Sequence, residues 1–340
     1  MFKGLGGITD ESPSVIIAEA CENHLGSLEV AVEMIRQAHA CGANFIKFQH
    51  HLRDAEMIRG LKMTDNFGED LYDFLGRCSL TIDQHVFLAK QCDEYGIGYL
   101  CTPFCLEAAE ELHDHNLCST VKIGSGEMLD FRLLGWLARE NIPMVVSTGM
   151  STLFEIDKAV DFLRNQEAEF ALLHCVSEYP PVDGDVYLDT ITDMKARYGD
   201  ITIGFSCHTP NPYSSYGAVT LGAKIIEKHF TLDRNVACPD QAVSLEPSVF
   251  STLVNGIRSI ESSRGIKNDV LYAEQGVREW ARRIVVAKRD LDAFETLTQD
   301  NITVKRAGKG ACSSLFHSFI GKTLAKPVLK DKPILVDDIR

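Results

Sequence analysis

The stretch SVIIAEACENHLGSLEVAVEMIRQAHACGANFIKFQ, residues 14–49, contains two short apolar runs on either side of a segment with helical period. The runs at 15–20 and 45–49 are typical of buried strands, whereas the segment between them repeats apolar residues at spacings of three and four. Ser27 precedes that segment as a candidate N-cap. Because parallel strands need a crossover, usually a helix, the stretch predicts a parallel strand–helix–strand unit.

The same alternation continues to about residue 230. The eight predicted strands are 15–20, 45–49, 98–104, 120–125, 144–149, 170–177, 201–208 and 224–230. Thr152 and Glu155 form a candidate capping box ahead of another helical segment. Eight β/α repeats favour an α/β fold that closes into a (β/α)8 TIM barrel. An open doubly wound sheet is the alternative, but the glycine-rich phosphate loop that usually marks it does not follow the first strand.

The pattern changes after about residue 265. Helical period continues through 272–281, and short β-like pieces separated by turn-prone residues follow. We therefore predict a barrel domain at 1–265, a linker at 266–281 and a small β-rich domain at 282–340. A module of this size is marginally stable alone, so we expect it to pack on a barrel, either its own or a partner's.

Composition excludes several classes of protein. The 340 residues carry a net charge of −14, which disfavours broad nucleic-acid binding. The 11 cysteines include no CxxC pair, so we interpret them as buried thiols in a reducing compartment. No apolar stretch approaches the ~20 residues of a membrane span, and the N-terminus lacks the apolar core of a signal peptide. We therefore predict a cytoplasmic protein that contacts no membrane.

Polar residues occupy the C-terminal ends of all the predicted strands. They are Glu19, Lys47, Gln49, Thr102, Lys122, Ser125, Glu127, Ser147, Thr148, His174, Ser177, Ser206, His208, Glu227 and His229. A single polar strand end says little, because strand ends are solvated. Barrel enzymes carry their catalytic groups on this face, so the joint pattern predicts an active site there.

Two lysines in this set suggest an anion site. Lys47 and Lys122 lie on strands that we predict to be buried, where lysine is rare unless it meets an anion. The alternative for each lysine is a structural ion pair with a barrel carboxylate such as Glu19 or Glu127. Taken together, the two lysines favour a phosphate or carboxylate ligand.

Two histidines in the set suggest a metal. His208 and His229 end adjacent predicted strands, so their imidazoles can converge on a divalent ion such as Mn²⁺ or Zn²⁺. The alternative is a pair of hydrogen-bonded core histidines. We expect helix or loop positions, without a role in the site, for His39, His50, His51, His85, His113, His115 and His317.

Nine motifs of this chain resemble, in the same order, those of the sialic acid synthase family. They are AEACENHLGS (18–27), KFQ (47–49), TPF (102–104), KIGSGE (122–127), STGM (147–150), LHCVSEYP (173–180), SCHT (206–209), EKHFTLDR (227–234) and PDQAVSLEP (239–247). KRAGKG (305–310) and the final ~60 residues resemble the antifreeze-like SAF domain of the family, a β-clip fold. The resemblance spans nearly the whole chain, and it includes relatives that make legionaminic and pseudaminic acids.

The resemblance implies condensation of phosphoenolpyruvate with an N-acylmannosamine-type aldehyde sugar, which yields phosphate and a 2-keto sugar acid. It implies a divalent metal, most commonly Mn²⁺ with Mg²⁺ or Co²⁺ as alternatives, held by His208 and His229. The family's phosphoenolpyruvate-binding residues match Lys47, Thr102, Lys122, Ser125 and Ser206. Its acceptor-binding residues match Gln49, Ser177, Tyr179, Asp240 and Arg306. Its carboxylates near the reacting atoms match Glu19 and Glu127. Family members form domain-swapped homodimers in which the C-terminal domain reaches the partner's barrel.

Two positions depart from the family pattern. Cys207 stands where an aspartate is usual, which predicts a looser second shell around the metal. Ser177 stands where an asparagine of the acceptor pocket is common, which leaves the acceptor open. Two other functions are compatible with the sequence: a phosphoenolpyruvate-dependent aldol synthase with a phosphorylated pentose or tetrose acceptor, and a sugar-binding protein whose barrel is a relic.

Overall fold

The computed structural model describes residues 2–60 and 70–340 of the chain. The chain divides into two compact units, of which the first ends at Arg264 and the second spans Gly265–Arg340. Each unit has a cluster of buried apolar side chains of its own. The two units are therefore described separately.

Eight parallel strands of the first unit close into a barrel, in which each strand pairs with the next and the last pairs with the first. Strands β1–β8 are Val15–Glu19, Phe45–His50, Gly98–Pro103, Val121–Ile123, Met144–Ser147, Phe170–Cys175, Thr202–Cys207 and Ile225–His229. Glu19 is in register with both Lys47 and His229. All eight predicted strands are present, and the predicted fold class is confirmed.

Helices connect the strands and pack against the outside of the barrel. Helices α1–α10 are Leu28–Ala40, Arg53–Glu56, Leu71–Cys78, Ile82–Tyr95, Leu106–Asp114, Phe131–Arg139, Leu153–Asn165, Thr190–Arg197, Tyr213–Thr220 and Pro247–Ser263. Ser27 Oγ accepts a hydrogen bond from the Val30 amide at 3.3 Å and so caps α1. Thr152 and Glu155 cap α7 reciprocally. The two predicted helix starts therefore have the side-chain caps that their sequences indicate.

The side chains inside the barrel change from apolar to polar along most of the strands. Successive side chains point to opposite faces, so Ile17 and Glu19 share the inner face of β1, as Ile225 and Glu227 share that of β8. The apolar inner residues form one cluster together with Phe2, Leu5 and Ile8 of the N-terminal segment. That cluster fills the end of the barrel where the strands begin, which leaves the polar residues around the end where they stop.

The outward-facing rows of the strands pack against the helices and form the main core. Ile16, Ile46 and Ile226 are fully buried there. Burial of such a side chain contributes roughly 1.5–3 kcal/mol. Stability of the barrel therefore comes mainly from this layer, and the polar inner ends of the strands are left free to serve another purpose.

The second unit is small and rich in extended chain. Strands β9, Ile284–Ala287, and β10, Ile302–Lys305, pair in antiparallel fashion. Isolated bridges such as Leu291 to Val328 join further extended segments. Helices α11, Gln275–Ala281, and α12, Phe316–Phe319, are both short. The unit has a compact apolar core that includes Val285 and Leu297.

The cysteines are free thiols, and most of them are buried, as the sequence analysis predicts. Within residues 2–60 and 70–340, the structure has no helix of sufficient length and apolarity to cross a membrane.

Candidate active site

A cavity of about 580 Å³ lies at the carboxyl ends of the barrel strands. It collects every barrel residue that the sequence analysis assigns to a site: Glu19, Lys47, Gln49, Thr102, Lys122, Ser125, Glu127, Ser177, Tyr179, Ser206, His208, His229 and Asp240. They meet because the polar ends of the inward-facing rows converge there.

Two lysines and two glutamates form a buried charged group, which we call the floor. Lys47 Nζ lies 3.3 Å from Glu19 Oε2 and 3.2 Å from Glu227 Oε2. Lys122 Nζ lies 3.8 Å from Glu227 Oε1. The lysines are therefore ion-paired, as one sequence interpretation allowed, but Glu227 is the carboxylate that they share.

The two carboxyl groups of the floor differ in their protonation. Burial raises the pKa of Glu19, although Lys47 opposes the shift. Burial alone would raise the pKa of Glu227 as well, but Lys122 and Lys47 outweigh it and lower that pKa. Burial lowers the pKa of Lys122, whereas Glu19 and Glu227 outweigh burial and raise that of Lys47. Glu227 is thus the ionised carboxylate of the floor, and it stabilises the positive charge of the buried lysine side chains.

Hydroxyl groups fix the positions of the floor side chains. Lys47 Nζ donates to Thr102 Oγ1 at 3.1 Å, and Lys122 Nζ donates to Ser147 Oγ at 2.7 Å. Ser206 Oγ donates to a carboxylate oxygen of the floor at 2.9 Å. Each of these hydroxyls ends an inward-facing strand row. The ammonium groups are therefore held in place before any ligand arrives, which lowers the entropy that binding would cost.

The loop after β4 places a carboxylate beside the floor. A Cβ atom on Gly124 would lie 2.3 Å from Glu127 Oε2, so glycine leaves room for this carboxyl group to lie against the backbone. Glu127 Oε2 is buried without a hydrogen-bond partner, and burial raises the pKa of Glu127 to about 7. A carboxyl group with such a pKa can give or accept a proton near neutral pH.

Ser125, in the same loop, contacts the loop after β5. Its Oγ accepts a hydrogen bond from the Gly149 amide at 3.0 Å. A Cβ atom on Gly149 would lie 2.7 Å from this oxygen and 2.2 Å from Ser177 Oγ. Glycine at this position is therefore what lets three strand-end loops approach one another closely around the cavity.

The two predicted metal ligands lie side by side, with ring centroids 5.1 Å apart. His208 Nδ1 lies 2.7 Å from the Val176 carbonyl oxygen. Because a carbonyl only accepts, Nδ1 carries the proton, and the lone pair of the neutral ring is on Nε2. His229 Nδ1 is buried and has no hydrogen-bond partner among the described residues. Burial holds the pKa of His229 well below its ordinary value, so this ring is neutral.

A second group of potential metal ligands shares His229 with the predicted pair of histidines. Cys21, His229 and Asp240 each offer one ligand atom, and these atoms lie within 4.8 Å of one another. His208 does not belong to this group, although its ring is adjacent. Imidazole nitrogen and carboxylate oxygen suit a borderline or hard divalent cation. Together with the unpartnered nitrogen of His229, these donors fit a divalent metal. Asp240, which the sequence analysis assigned to the acceptor sugar, is thus also a potential metal ligand.

Tyr179 covers the histidines from the loop after β6. Its ring centroid lies 4.1 Å from that of His208 and 6.0 Å from that of His229. Burial raises the pKa of its hydroxyl, so Tyr179 keeps its proton as a hydrogen-bond donor. The ring is 39% exposed, and it therefore forms a partly open cover over this part of the cavity.

One side of the cavity carries a cluster that we call the acidic wall: Glu22, His51 and Glu56. His51 Nδ1 lies 2.9 Å from Glu56 Oε1, and His51 Nε2 lies 3.0 Å from Gln49 Oε1. Glu22 Oε1 lies 3.6 Å from His51 Nε2. His51 lies in a loop, as expected, but it lines the cavity, because it continues the inward-facing row of Lys47 and Gln49 beyond the end of β2.

Two residues that the sequence analysis singled out, one strand-end histidine and one cysteine, face away from the cavity. His174 belongs to the outward row of β6, where its Nε2 lies 2.7 Å from the Val186 carbonyl oxygen. Cys207 lies on the face of β7 opposite to Ser206, and its thiol is 3.6 Å from the buried ammonium of Lys228. The thiol therefore packs in the outer layer, which does not support the expected effect on the metal's second shell.

Arg306 belongs to the second unit and follows β10. It is exposed, and its guanidinium carbon lies 5.4 Å from the ring centroid of Trp280 in the same unit. Arginine commonly stacks on tryptophan in this way. Its predicted contact with the acceptor remains a prediction.

The structure also adds residues that the sequence analysis left without a role. The sequence contains a pattern that could have identified Glu227, because this residue shares a strand face with His229. Glu22 could also have been identified, because it follows β1 within a polar stretch. No local sequence pattern points to Glu56 or Cys21. Short helix α2 carries Glu56 to the cavity, and only closure between β1 and β8 brings Cys21 to His229.

These features define a class: a (β/α)8-barrel protein whose candidate active site combines paired lysines, buried carboxyl groups and imidazoles at the strand ends. Residues 34–269 match the NeuB family, and residues 282–340 match the SAF domain. The chain therefore belongs to the NeuB family.

Named relatives cover almost the full chain. The N,N'-diacetyllegionaminic acid synthase of Campylobacter jejuni is 34% identical over 94% of this chain and 98% of its own. The human N-acetylneuraminate-9-phosphate synthase is 32% identical over 96% of this chain and 92% of its own. A crystal structure of N-acetylneuraminic acid synthetase from Leptospira borgpetersenii, in complex with citrate, has 30% identity and a TM-score of 0.70, with coverage of 79% and 92%. The recognition of a sialic acid synthase type of protein with an SAF domain is confirmed.

Proposed function

We propose that this protein condenses phosphoenolpyruvate with an N-acylmannosamine-type aldehyde sugar to give a 2-keto sugar acid and phosphate. The observation that carries the proposal is the floor, where Lys47 and Lys122 share one ionised carboxylate, Glu227, in a buried cavity. A cavity built in this way suits a small, highly charged anion. The relatives named as sialic and legionaminic acid synthases support the same reaction.

Phosphoenolpyruvate would bind on the floor. Its phosphate and carboxylate would be neutralised by Lys47 and Lys122, with hydroxyl contacts from Thr102, Ser125 and Ser206. Both ammonium groups are almost fully excluded from water, at 5% and 2% exposure of the side chains. Electrostatic attraction is stronger in such surroundings than at a surface.

The bond-forming step joins C3 of phosphoenolpyruvate to the aldehyde carbon of the sugar. The aldehyde oxygen takes up a proton and becomes a hydroxyl group. Water then adds at C2, and the C2–O bond to phosphate breaks, which leaves the keto group and inorganic phosphate. Glu127 is our candidate for moving one of these protons, because its Oε2 has no competing partner and its pKa is about 7. Glu19 is the second candidate.

A divalent metal would be held by His229 and Asp240, with His208 and Cys21 beside them. When bound, it supplies Lewis-acid polarisation of the aldehyde oxygen. We propose Mn²⁺, with Mg²⁺ or Co²⁺ as alternatives, since nitrogen and oxygen donors suit these ions. The remaining acceptor contacts are proposed for Gln49, Ser177 and Tyr179.

We further propose a cytoplasmic enzyme that works as a domain-swapped homodimer. The SAF domain match and the exposed position of Arg306 support a role for the second unit in covering a partner's acceptor site. Sedimentation of the purified chain, together with activity of mixed dimers in which one chain carries Arg306→Ala, would test this arrangement.

The reaction itself is tested by measuring phosphate release from phosphoenolpyruvate with N-acetylmannosamine, with and without Mn²⁺, and by the mass of the product. We expect release that depends on both acceptor and metal. Erythrose 4-phosphate and arabinose 5-phosphate serve as acceptors for the competing aldol-synthase reaction. Release with those sugars alone, or with no sugar at all, would contradict the proposal. The relatives' names include both a free acid and a 9-phosphate, so similarity does not decide whether the acceptor is phosphorylated.

A further inference from the structure

Glu22 is a buried carboxyl group that faces the cavity without a hydrogen-bond partner. The residue is 3% exposed and lines the cavity, and neither of its carboxyl oxygens has a partner among the described residues. The nearest nitrogens, His51 Nε2 and His24 Nε2, lie 3.6 Å and 3.8 Å from it. Buried polar groups are normally satisfied, and an exception calls for a reason.

The backbone around Glu22 is fixed in place. Asn23 Nδ2 donates to the Phe230 carbonyl oxygen and to Ser244 Oγ, both at 2.9 Å, and so fastens the turn after β1 to the segments that follow β8. The turn that carries Glu22 is therefore fixed, and burial of the side chain at 3% exposure limits the directions that its carboxyl group can take. A carboxyl group confined in this way beside a cavity is preorganised to accept hydrogen bonds from a ligand.

Other carboxyl groups lie near Glu22 in the lining of the cavity. The Glu56 carboxylate contacts His51 at 2.9 Å, and its side chain is 5% exposed. Asp240 lines the same cavity. Together with Glu127 beside the floor, four carboxyl groups thus line the cavity outside the floor, and the His51 imidazole lies between those of Glu22 and Glu56.

The lysine side chains of the cavity lie in the floor and not in the acidic wall. Among the described residues that line the cavity, the lysines are Lys47 and Lys122, both in the floor, and there is no arginine. If phosphoenolpyruvate occupies the floor, the acceptor lies in the rest of the cavity, which includes the acidic wall. Whatever protons the wall carboxyl groups hold, the described residues of the same barrel offer no fixed cation to a second phosphate there.

We propose that Glu22 is a specificity-determining residue, and that the acceptor is an unphosphorylated sugar whose hydroxyl or amide N–H groups donate to the acidic wall. The inference rests on the proposed function and adds the chemical class of the acceptor to it. The donor groups of the sugar complete the hydrogen bonds that the Glu22 carboxyl group lacks. A phosphate group on the sugar is rejected because it replaces a donor hydroxyl with oxygens that accept, whereas the Glu22 oxygens lack donors.

The test compares N-acetylmannosamine with N-acetylmannosamine 6-phosphate as acceptors for the full-length enzyme. A buried carboxyl oxygen that is left without a hydrogen-bond donor corresponds to roughly 10- to 100-fold in rate or affinity. We therefore expect kcat/KM to be at least about 10-fold higher for the unphosphorylated sugar. Glu22→Gln keeps the shape of the side chain and replaces one acceptor oxygen with an amide NH2 group, which only donates. It is expected to raise the KM for the unphosphorylated sugar, leave the KM for phosphoenolpyruvate unchanged, and narrow the ratio of kcat/KM between the two sugars to about 3-fold or less.

Glu111→Gln is the matched control. Glu111 contacts His50 at 3.0 Å outside the cavity, so the same substitution there should leave the ratio between the two acceptors unchanged. The inference is overturned if the wild-type enzyme uses the 6-phosphate as well as the free sugar, or if Glu22→Gln moves neither the acceptor KM nor the ratio. Absence of turnover with both sugars contradicts the proposed function, and the inference is then overturned with it.

Discussion

Replacing Lys47 with methionine separates the structural role of the floor from its proposed role in binding. The ammonium group lies 3.2 Å from Glu227 and 3.3 Å from Glu19. Methionine fills most of the same volume but removes the charge. Glu227 then keeps one lysine partner, at 3.8 Å, in a place from which water is almost excluded.

The size of the effect follows from these distances. A unit charge pair at 3.2 Å attracts by about 5 kcal/mol at an effective dielectric constant of about 20. Removal of one partner from a buried pair usually costs about 3–5 kcal/mol. Glu19 offsets part of the loss, because burial already raises its pKa and it can take up a proton. We expect the free energy of unfolding of the barrel to fall by about 3 kcal/mol.

The double variant Lys47→Met, Glu227→Gln is the informative control. In the single variant, the Glu227 carboxylate has lost one of its two lysine partners, and the second substitution removes this charge. The glutamine side chain keeps the shape of Glu227, and its amide oxygen can still accept a hydrogen bond from Ser206. We expect more than half of the lost stability to return. Activity should not return, since kcat/KM for phosphoenolpyruvate depends on the missing cation and should stay down by about 30-fold or more.

Urea unfolding reports the stability of the barrel when it is followed by circular dichroism and by the fluorescence of Trp136, which lies in α6. Phosphate release reports activity. Full activity in either variant would refute the binding role of Lys47. A single variant as stable as the wild type would refute the charge argument for the floor.

Three further substitutions or deletions test other parts of the site. His229→Ala should abolish metal-dependent turnover and metal binding while circular dichroism stays unchanged; turnover with metal still bound would contradict the ligand role. Glu127→Gln should lower kcat by about 100-fold or more and remove the limb near pH 7 from the rate profile. Because burial raises the pKa of Glu127 from 4.5 to about 7, the folded state binds more protons than the unfolded state between these values, and this group's contribution to stability is lost as the pH rises through 7. Glu127→Gln should therefore flatten the fall in unfolding free energy over that range, and an unchanged slope would count against the raised pKa. Deletion of residues 281–340 should raise the KM for the acceptor more than that for phosphoenolpyruvate, whereas an equal rise in both would indicate a purely structural module.

The barrel and its polar end could be predicted from the sequence because both follow from patterns among neighbouring residues. Strand and helix periods are properties of adjacent residues, and they set the eight strands correctly. The period of two within a strand also placed Lys47 with Gln49 and Glu227 with His229 on common faces. The same rule, carried one step further, includes His51, and applied to β6 it separates Cys175, which lines the cavity, from His174, which does not.

The acidic wall and the metal group were decided by tertiary structure. Cys21, His229 and Asp240 come from three separated parts of the chain, and only the pairing of β1 with β8 and the turn after β8 bring their ligand atoms within 4.8 Å. Glu56 reaches the cavity on a helical turn whose direction no local period specifies. Protonation is likewise a property of the assembled site, because burial and the shared lysines push the pKa values of Glu19 and Glu227 in opposite directions. The sequence by itself determined which face of the barrel carries the chemistry, since polarity alternates locally. Which carboxyl groups are charged, and which stand free for a ligand, was decided by distances between strands that are far apart in the chain.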